Sequence, residues 1–469
     1  MNYEDVTSQW EQARLFSTHG ISQGKEAENR VTSALLSVVK AVPDFLNYLL
    51  PPIGIAKFPK INLQNVSTYY QPTLVLSSNE KVRPDGAIVI NGRGGNTLSV
   101  LLEVKTDKDI LEEEQISKYL EVAQKENFTH VFTISNQISF MKRSHPLNKN
   151  KLPNNNVELI HLSWAYIKSR AVVYNEYINV EDREQKWIIE EFIRYMESPT
   201  TYVSDFGGMG QYWNIALEKI QSKTINSSNY EIHDAISKIL SLVSYSALQL
   251  EERTGVEIDP IYSKDLSNEN GKIIDSKIKE LSETGDFVTS YRINNSYSDL
   301  KVEIKFSSHE IVCSVELPAN DNRTNKQKAA WFLKQLQKHD FPIRIKAKMK
   351  HSRGNDIAIL SSDIKDTSEL FQEGKTIEKF KMSVRFPMGT RPTANARGSF
   401  ITSYISALAE AYELFLVGFK PYEENLPIVR REPTKQAVEA TKQFPKKEQP
   451  WPNVLISPIQ GPPPIIKGH

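Results

Sequence analysis

Two apolar stretches separated by a short glycine-rich segment constrain the fold of this chain more than any other feature of its sequence. Residues Asp85–Ile90 and Leu98–Lys105 are rich in aliphatic side chains, and Asn91-Gly92-Arg93-Gly94-Gly95 lies between them. Asparagine and glycine are the residues that a tight hairpin turn needs. The pattern therefore predicts two antiparallel strands, with the start of the first beside the end of the second.

The polar residues at that shared end are two acids and one base. Asp85 begins the first predicted strand, whereas Glu103 and Lys105 end the second. Residues two apart on a strand share a face, so Glu103 and Lys105 point the same way while Val104 points to the opposite layer. Two carboxylates and a lysine at one end of a sheet can bind a divalent cation and place a positive charge near a phosphate group.

The elements around this hairpin describe one α/β unit. Apolar residues recur at helical spacing over Gly24–Val42, which predicts a helix before the hairpin. A second helix is predicted at Ile110–Glu126, followed by strands at Phe128–Ser135 and at Val157–Leu162. This order predicts a mixed sheet flanked by helices in residues 1–180, antiparallel at the hairpin and parallel across the helical crossover.

Prolines follow the first predicted helix. Pro43, Pro51 and Pro52 come shortly after it, and a proline inside a helix interrupts it because it lacks the backbone N–H. We therefore expect these prolines to close the helical region and a loop to lead to a strand at Thr73–Leu76.

Within this order of elements, Pro84-Asp85, seventeen intervening residues and Glu103-x-Lys105 resemble the motif of the PD-(D/E)xK nuclease superfamily. The resemblance covers about residues 20–165 and implies a restriction-endonuclease-like fold for the N-terminal domain. It also implies that Asp85 and Glu103 hold Mg²⁺, for which Mn²⁺ can substitute. Lys105 would then orient the attacking water and stabilise the pentavalent phosphate.

The same superfamily places an acidic residue on the preceding helix and a polar residue on the helix after the lysine. Glu28 and Glu26 both lie on the first predicted helix. At about 100° per residue, Glu28 lies about 70° from the centre of the apolar stripe and Glu26 about 130°, so Glu28 is the expected third metal ligand. Gln115, in the crossover helix, is the expected supporting residue.

Each half of this motif also has an ordinary explanation. A Pro-Asp-Gly triplet is usually a turn, and a Glu-x-Lys on a strand is usually a solvated pair. Their combination with the hairpin, the helix and the following strand favours the nuclease interpretation.

Cys313 is the only cysteine, which rules out an internal disulfide and a cysteine-based zinc site, so oxygen ligands for a hard cation are expected.

The segment after the first domain is predicted to be mainly helical. Residues 181–285 contain an amphipathic pattern in which Trp187 and Phe192 share one face, and a long helix near Tyr230–Arg253. No catalytic constellation is visible there, so the segment is interpreted as a helical connector.

From about residue 286 the apolar period changes from helical spacing to two. Alternating apolar residues predict several strands, and helices are predicted near 324–338 and 398–416. Residues 286–420 are therefore expected to form an α+β domain, which binds nucleic acid, senses a signal or assembles the oligomer.

Basic residues alternate with apolar residues on two strands of this second domain. Residues 1–285 have a net charge of −7 and residues 286–420 one of +6, counting Lys and Arg against Asp and Glu. Such asymmetry is a hint of a polyanionic partner, so one sheet face is a candidate for nucleic-acid binding. The alternative is that these side chains only prevent edge-to-edge strand pairing. The candidates are Arg344, Lys346, Lys348, Lys350, Lys381 and Arg385.

The ends of the chain complete this interpretation. Residues 421–469 contain ten of the 24 prolines and are expected to be a tail that docks on a partner protein or a neighbouring subunit. No stretch has the roughly 18 uninterrupted apolar residues of a membrane span, and the first residues are acidic and polar. We expect no membrane partner and a cytoplasmic location.

These features together predict a Mg²⁺-dependent endonuclease. DNA is favoured over RNA as its substrate, and restriction or antiphage defence is the setting that the superfamily implies. Two alternatives remain: a catalytically inactive nuclease fold that acts as a binding module in a nucleic-acid-associated complex, and a nuclease of RNA or tRNA. Cutting both strands requires two active sites, so a homodimer or higher oligomer is expected.

Overall fold

The computed structural model describes residues 15–16 and 24–419, except 93–96, 142–143, 154–155, 179, 204–205, 227, 263–269, 320–322, 337–341 and 352–356. The predicted tail at 421–469 and most of the predicted hairpin turn lie outside the described residues.

The N-terminal part forms a mixed sheet with helices on it, as predicted. The elements are α1 Lys25–Ala41, α2 Pro43–Leu49, β1 Val66–Tyr70, β2 Leu74–Val75, β3 Lys81–Val82, β4 Gly86–Asn91, β5 Thr97–Val104, α3 Glu113–Lys125, β6 His130–Ser135, β7 Glu158–Ser163 and α4 Trp164–Tyr177. The sheet order is β1-β4-β5-β6-β7, in which β1, β4 and β5 pair antiparallel and β5, β6 and β7 pair parallel. A separate two-stranded sheet joins β2 and β3.

The two faces of this sheet pack against different helices. Ala87 and Leu101 belong to a core cluster that contains Ile116 of α3, whereas Val104 belongs to the cluster that contains Val31 of α1. Alternation along β5 therefore gives each face its own apolar layer. Because Leu101 and residue 103 share a face, the predicted site lies on the side of α3.

The prediction that Pro43, Pro51 and Pro52 close the helical region was wrong for Pro43. Pro43 is the first residue of α2, where its missing N–H costs nothing because the first helical N–H groups have no partner within the helix. The sequence prediction also missed β1, which pairs with β4 along its whole length from Val66↔Ile90 to Tyr70↔Gly86.

The connector is mainly helical, but it also contributes a strand. Its elements are α5 Arg183–Met196, α6 Trp213–Gln221, α7 Tyr230–Thr254, β8 Ile258–Pro260 and α8 Asn270–Thr284. The prediction that Trp187 and Phe192 share one face was wrong, since Trp187 is 48% exposed while Phe192 is fully buried. Strand β8 pairs with the next sheet, which joins the connector to the C-terminal part.

The C-terminal part is an antiparallel sheet in the order β13-β12-β14-β11-β10-β9-β8. Helices α9 and α10 pack on one face, where Phe332 stacks on Phe380 with ring centroids 4.2 Å apart and Cys313 contacts the Ala407 carbonyl. The elements are β9 Asp286–Ile293, β10 Leu300–Lys305, β11 Glu310–Pro318, α9 Asn325–Leu336, β12 Arg344–Met349, β13 Ile357–Leu360, β14 Ile377–Pro387 and α10 Phe400–Ala411.

The long helix α7 connects the two sheets. Ser169 of α4 donates a hydrogen bond to the Leu248 carbonyl of α7. On the other side, Ser246 of α7 and the hydroxyls of Tyr291 and Tyr404 form one buried hydrogen-bonded chain. The apolar core is therefore continuous from the first sheet to the second.

One helical stretch passes a length and composition test for a membrane span. Phe400–Val417 has an apolar window of 18 residues, and 61% of that window is buried inside the protein. A second candidate, Lys25–Ala41 with Pro43–Ile53, is bent by 106°. Core helices pass the same test, and the burial of Phe400–Val417 is that of a core helix.

Candidate active site

Asp85 lies beside the end of β5, where the hairpin pattern placed it. The last registered pair of the ladder is Gly86↔Leu102, so Asp85 and Glu103 are the next residues on the two strands. The Asp85 Oδ2 atom accepts a hydrogen bond from the Val104 backbone N–H at 2.8 Å, and the residue is 4% exposed. This bond holds the two halves of the motif together.

Glu103 and Lys105 point to the same side and contact each other. The Lys105 Nζ atom lies 2.5 Å from Glu103 Oε1, and Glu103 is 1% exposed. The other carboxylate oxygen, Glu103 Oε2, is buried and has no hydrogen-bond partner. A buried carboxylate oxygen without a donor loses the free energy of its hydration, and no hydrogen bond replaces it. A cation or a water is therefore expected at this atom.

Glu28 reaches the same place from α1. It is 3% exposed, and its Oε2 atom lies 4.0 Å from Lys105 Nζ. Glu26 instead forms an ion pair with Arg30 in which both side chains are about 40% exposed. As the helical angle predicts, Glu28 faces inward and Glu26 faces solvent.

The backbone of Lys105 is fixed from two sides. Its N–H donates to the Ile134 carbonyl of β6, and its carbonyl accepts from the indole N–H of Trp164 at 3.0 Å. Trp164 is fully buried at the start of α4, where the Ser163 hydroxyl caps the helix by accepting from Tyr166 N–H. The lysine thus extends from a backbone position that the core defines.

Crowding of acids in this buried place shifts their proton affinities. Burial, and then the nearby Asp85 charge, raises the pKa of Glu103 from 4.5 to about 8, although Lys105 opposes this. Burial also raises the pKa of Glu28 to about 7, against the effect of Lys105. Burial lowers the pKa of Lys105, but Glu103, Glu28 and Asp85 together outweigh it and leave that pKa raised, so the lysine stays charged at neutral pH.

Gln115 reaches the site through a tyrosine. Its Nε2 donates to the Tyr119 hydroxyl, which in turn donates to the Arg83 carbonyl just before Pro84. Burial and the charges of Glu103 and Asp85 raise the pKa of Tyr119, which shows that its hydroxyl lies near both acids. Tyr119 was missed as a site residue. Its position four residues after Gln115, on the same helix face, was the available signal.

A buried polar network adjoins Glu103 across the sheet. Thr133 lies directly beside Glu103 on β6, and His161 lies beside Thr133 on β7. His161 Nε2 donates to the Gln137 carbonyl and Leu147 N–H donates to His145 Nδ1. Thr133 must therefore donate to His161 Nδ1 and accept from His145 Nε2.

Both imidazoles in this network are held neutral. Burial lowers the pKa of His161 to about 4. Burial, and then the neighbouring His161, lowers the pKa of His145 to about 2. The network is satisfied only in this protonation state, so it supports the strands structurally. Sequence reasoning did not find this network.

The donor set fits a hard divalent cation, although no coordination sphere is ready. Over the described residues, no group of three or more His, Cys, Asp and Glu side chains could hold a metal ion as placed. The Lys105 ammonium lies between Glu103 and Glu28 and supplies the local positive charge. With Asp85, three carboxylates face one lysine, and Glu103 Oε2 lacks a partner. Oxygen donors in excess of positive charge are what Mg²⁺ binds.

The predicted basic residues lie on the second sheet, away from the helices that cover it. All but Lys350, which follows the end of β12, are on strands β12 and β14. Acidic side chains share their face: Lys348 pairs with Glu316 at 2.6 Å, and Arg385 with Glu310 at 3.3 Å. The outward residues of β12 are all basic, as the alternation predicts, but the sheet face as a whole has mixed charge.

Comparison with known proteins adds no relative. No family model matches the chain, and neither a curated protein nor a solved structure matches it. The resemblance to the PD-(D/E)xK superfamily rests on the residues and the order of elements described above.

Proposed function

We propose that this chain is a Mg²⁺-dependent nuclease of the PD-(D/E)xK type, which hydrolyses phosphodiester bonds. One observation supports this best: Asp85, Glu103, Lys105 and Glu28 converge at one end of a mixed sheet whose helix and strand order matches the motif. Either half of the motif alone would be an ordinary turn or ion pair. Their meeting in a buried place with an unpartnered oxygen is not ordinary.

The three carboxylates are the proposed cation ligands. Asp85, Glu103 and Glu28 offer oxygens of the kind that Mg²⁺ or Mn²⁺ accepts. When bound, such an ion would neutralise charge on the phosphate and lower the pKa of a bound water. Because two of the three acids have a raised pKa, binding near neutral pH must release protons.

Lys105 has the proposed role of placing a positive charge near the reacting phosphate. It stays protonated at neutral pH, and its side chain is 15% exposed, unlike the nearly fully buried Glu103 and Glu28. The Trp164 and Ile134 hydrogen bonds fix its backbone, which limits the reorganisation that the charge needs during reaction.

The substrate and setting are extensions of this proposal. DNA is favoured over RNA because the resemblance is to restriction endonucleases, and restriction or antiphage defence in the cytoplasm follows from the same analogy. Cutting both strands of a duplex needs two copies of the site, so the proposed active form is a homodimer or a higher oligomer.

A cleavage panel tests the proposal. The full chain is incubated with plasmid, single-stranded DNA and total RNA, with Mg²⁺, with Mn²⁺ and with EDTA, next to Asp85→Ala and Lys105→Ala. Metal-dependent cutting by the wild type that both variants lose supports the proposal. Cutting that survives in both variants overturns the site. The preferred nucleic acid in the panel decides between DNA and RNA.

A binding module with an inert nuclease fold is the second candidate. It is favoured by the short contact between Lys105 and Glu103 and by the absence, in the described residues, of a group ready to hold a metal. A scaffold would bind nucleic acid without taking up Mg²⁺. Calorimetric titration of the metal-free chain therefore separates the two candidates, whatever the substrate is.

A further inference from the structure

One face of the second sheet has no apolar layer packed against it among the residues that the structure describes. We call it the open face: the outward residues of β10, β11, β14 and β12, opposite the side on which α9 and α10 pack. Inward residues such as Val302, Phe380 and Ile345 are buried, whereas the outward charged residues are exposed or partly exposed. The charged residues of the open face are Lys301, Glu303, Lys305, Glu310, Glu316, Arg344, Lys346, Lys348, Lys379, Lys381 and Arg385.

Protection of a sheet edge does not explain the basic residues there. Lysines often discourage edge-to-edge pairing, but they do so on edge strands. In this sheet the edge strands are β13 and β8, and β12 and β14 both have neighbours on each side. Apart from Lys348, which lies beyond the end of the β12–β13 pairing, the lysines of the open face therefore lie where strands have neighbours on both sides and no edge needs protection.

The register places lysines directly opposite one another. Lys346 pairs with Lys381, and Lys348 pairs with Lys379, across β12 and β14. Like charges opposite each other in a sheet destabilise it. Glu316 relieves one of these pairs by contacting both Lys348 and Lys379. Such an arrangement lowers stability, so a requirement other than stability is expected to retain it.

Lys381 shows the strain of this arrangement most clearly. Burial, and then the charge of Lys301, lowers its pKa; Lys348 adds to the lowering, while Glu303 and Glu316 oppose it. The ammonium thus lies in a partly buried place close to two other lysines. An added anion above the Lys346 and Lys381 pair would offset both the burial and the repulsion.

The open face has an excess of positive charge over its acids. Its eight Lys and Arg residues stand against three glutamates, and Glu378 at the β12–β14 bulge and Asp286, which pairs with Lys305, raise the acids to five, which leaves at least three positive charges. Strands are about 4.8 Å apart and rise about 3.3 Å per residue, so these charges cover roughly 14 by 13 Å. That area matches a few consecutive phosphates of a nucleic-acid backbone.

We propose that the open face binds the phosphate backbone of nucleic acid, through charge and without reading base sequence. The proposal rests on the proposed nuclease function in one respect: the bound nucleic acid is the substrate that the first sheet cuts. A sheet face with separated ammonium groups suits a repeating anion better than a single small one, since each phosphate meets a different lysine.

Binding measured without cleavage tests this. The full chain in EDTA is titrated against a fluorescent duplex of about 30 base pairs and against its single strand, at several salt concentrations. The test variant is Lys346→Gln with Lys381→Gln. The control, Lys57→Gln with Lys186→Gln, removes the same charge from exposed residues of the N-terminal part and the connector.

The wild type should bind with a steep salt dependence. The open-face variant should bind about tenfold more weakly or worse, with a salt slope smaller by about 2 for the duplex, while the control matches the wild type. Unchanged affinity and slope in the open-face variant, or an equal loss in the control, overturns the inference. If the variant does not fold, lysine acetylation of the wild type decides: Lys346, Lys381 and Lys301 should be protected by nucleic acid, and equal labelling with and without it overturns the inference.

This experiment can fail separately from the proposed function. Binding through the open face by a protein that never cuts in Mg²⁺ would remove the nuclease proposal and keep this one. Cleavage by a protein whose open-face variant still binds normally would do the reverse.

Discussion

The carboxylate of Asp85 accepts a hydrogen bond from the backbone N–H of Val104 at 2.8 Å, which joins the two strands of the candidate site. Val104 lies between Glu103 and Lys105, so this one bond sets where both of those side chains begin. Its side chain packs into the opposite core layer, so the position cannot shift freely. The acid thus has a structural task in addition to its proposed role as a cation ligand.

Replacing Asp85 should separate these two tasks. Asp85→Asn keeps an acceptor for Val104 N–H, whereas Asp85→Ala leaves that buried donor without one. We expect Asp85→Ala to lower the free energy of unfolding by about 1–3 kcal/mol and Asp85→Asn to lower it far less. Chemical denaturation of both variants in EDTA measures this. Equal losses in the two variants would show that the hydrogen bond is not what Asp85 contributes.

The metal-free protein should become less stable as pH rises from about 5 to 8. Glu103 and Glu28 have a folded-state pKa of about 8 and about 7, above the ordinary 4.5. A raised pKa stabilises the fold below the unfolded pKa, and that contribution is lost as pH rises through the folded pKa.

Glu103→Gln should remove most of the Glu103 part of this slope. We expect the difference in unfolding free energy between pH 5 and pH 8 to shrink by on the order of 2–4 kcal/mol. Glu26→Gln, on the same helix as Glu28 but half-exposed, should leave the slope unchanged. Denaturation in EDTA across this pH range is the measurement. A wild-type profile that is flat, or that runs parallel to the Glu103→Gln profile, contradicts the burial argument.

Trp164→Phe should affect catalysis through Lys105. The substitution removes the N–H that holds the Lys105 carbonyl and leaves a small void in a fully buried position. We expect a loss of about 1–3 kcal/mol in stability and a fall in cleavage rate larger than any fall in Mg²⁺ affinity. Trp187→Phe is the matched control, since Trp187 is half-exposed. If Mg²⁺ affinity falls as much as the rate, Trp164 does not act by positioning the lysine.

Thr133→Val should destabilise the fold through the histidine network. Valine has nearly the same shape but leaves His145 Nε2–H without an acceptor and His161 Nδ1 without a donor. Each lost hydrogen bond should lower the free energy of unfolding by about 1–3 kcal/mol. Thr133→Ser should restore most of the stability, because it restores both hydrogen bonds. Thermal unfolding of the three proteins checks this. A valine variant as stable as the serine variant would show that the network contributes little.

The sequence predicted the residues of the site better than their contacts. Asp85, Glu103 and Lys105 were found because strand period and a hairpin turn determine which side chains share one end of a sheet. Glu28 was separated from Glu26 by helical angle alone. These are short-range rules, and residues close in sequence obey them.

Long-range contacts were beyond that reach. The Trp164 bond to Lys105 joins residues 59 apart, and the Thr133 network joins three separate segments. Strand β1 was missed because its Ser-Thr-Tyr-Tyr sequence lacks apolar alternation, although tertiary pairing with β4 makes it a strand. Likewise, the acids that share the open face come from neighbouring strands whose order no local pattern reveals.

Calorimetric titration of Mg²⁺ into the metal-free chain tests the central claim most directly. The wild type at pH 7 should bind Mg²⁺ and release protons, seen as a heat that changes between buffers of different ionisation enthalpy. Asp85→Asn should lose the binding, and Glu26→Gln should keep it. No uptake by the wild type, or equal uptake by Asp85→Asn, would contradict the assignment of Asp85, Glu103 and Glu28 as a cation site.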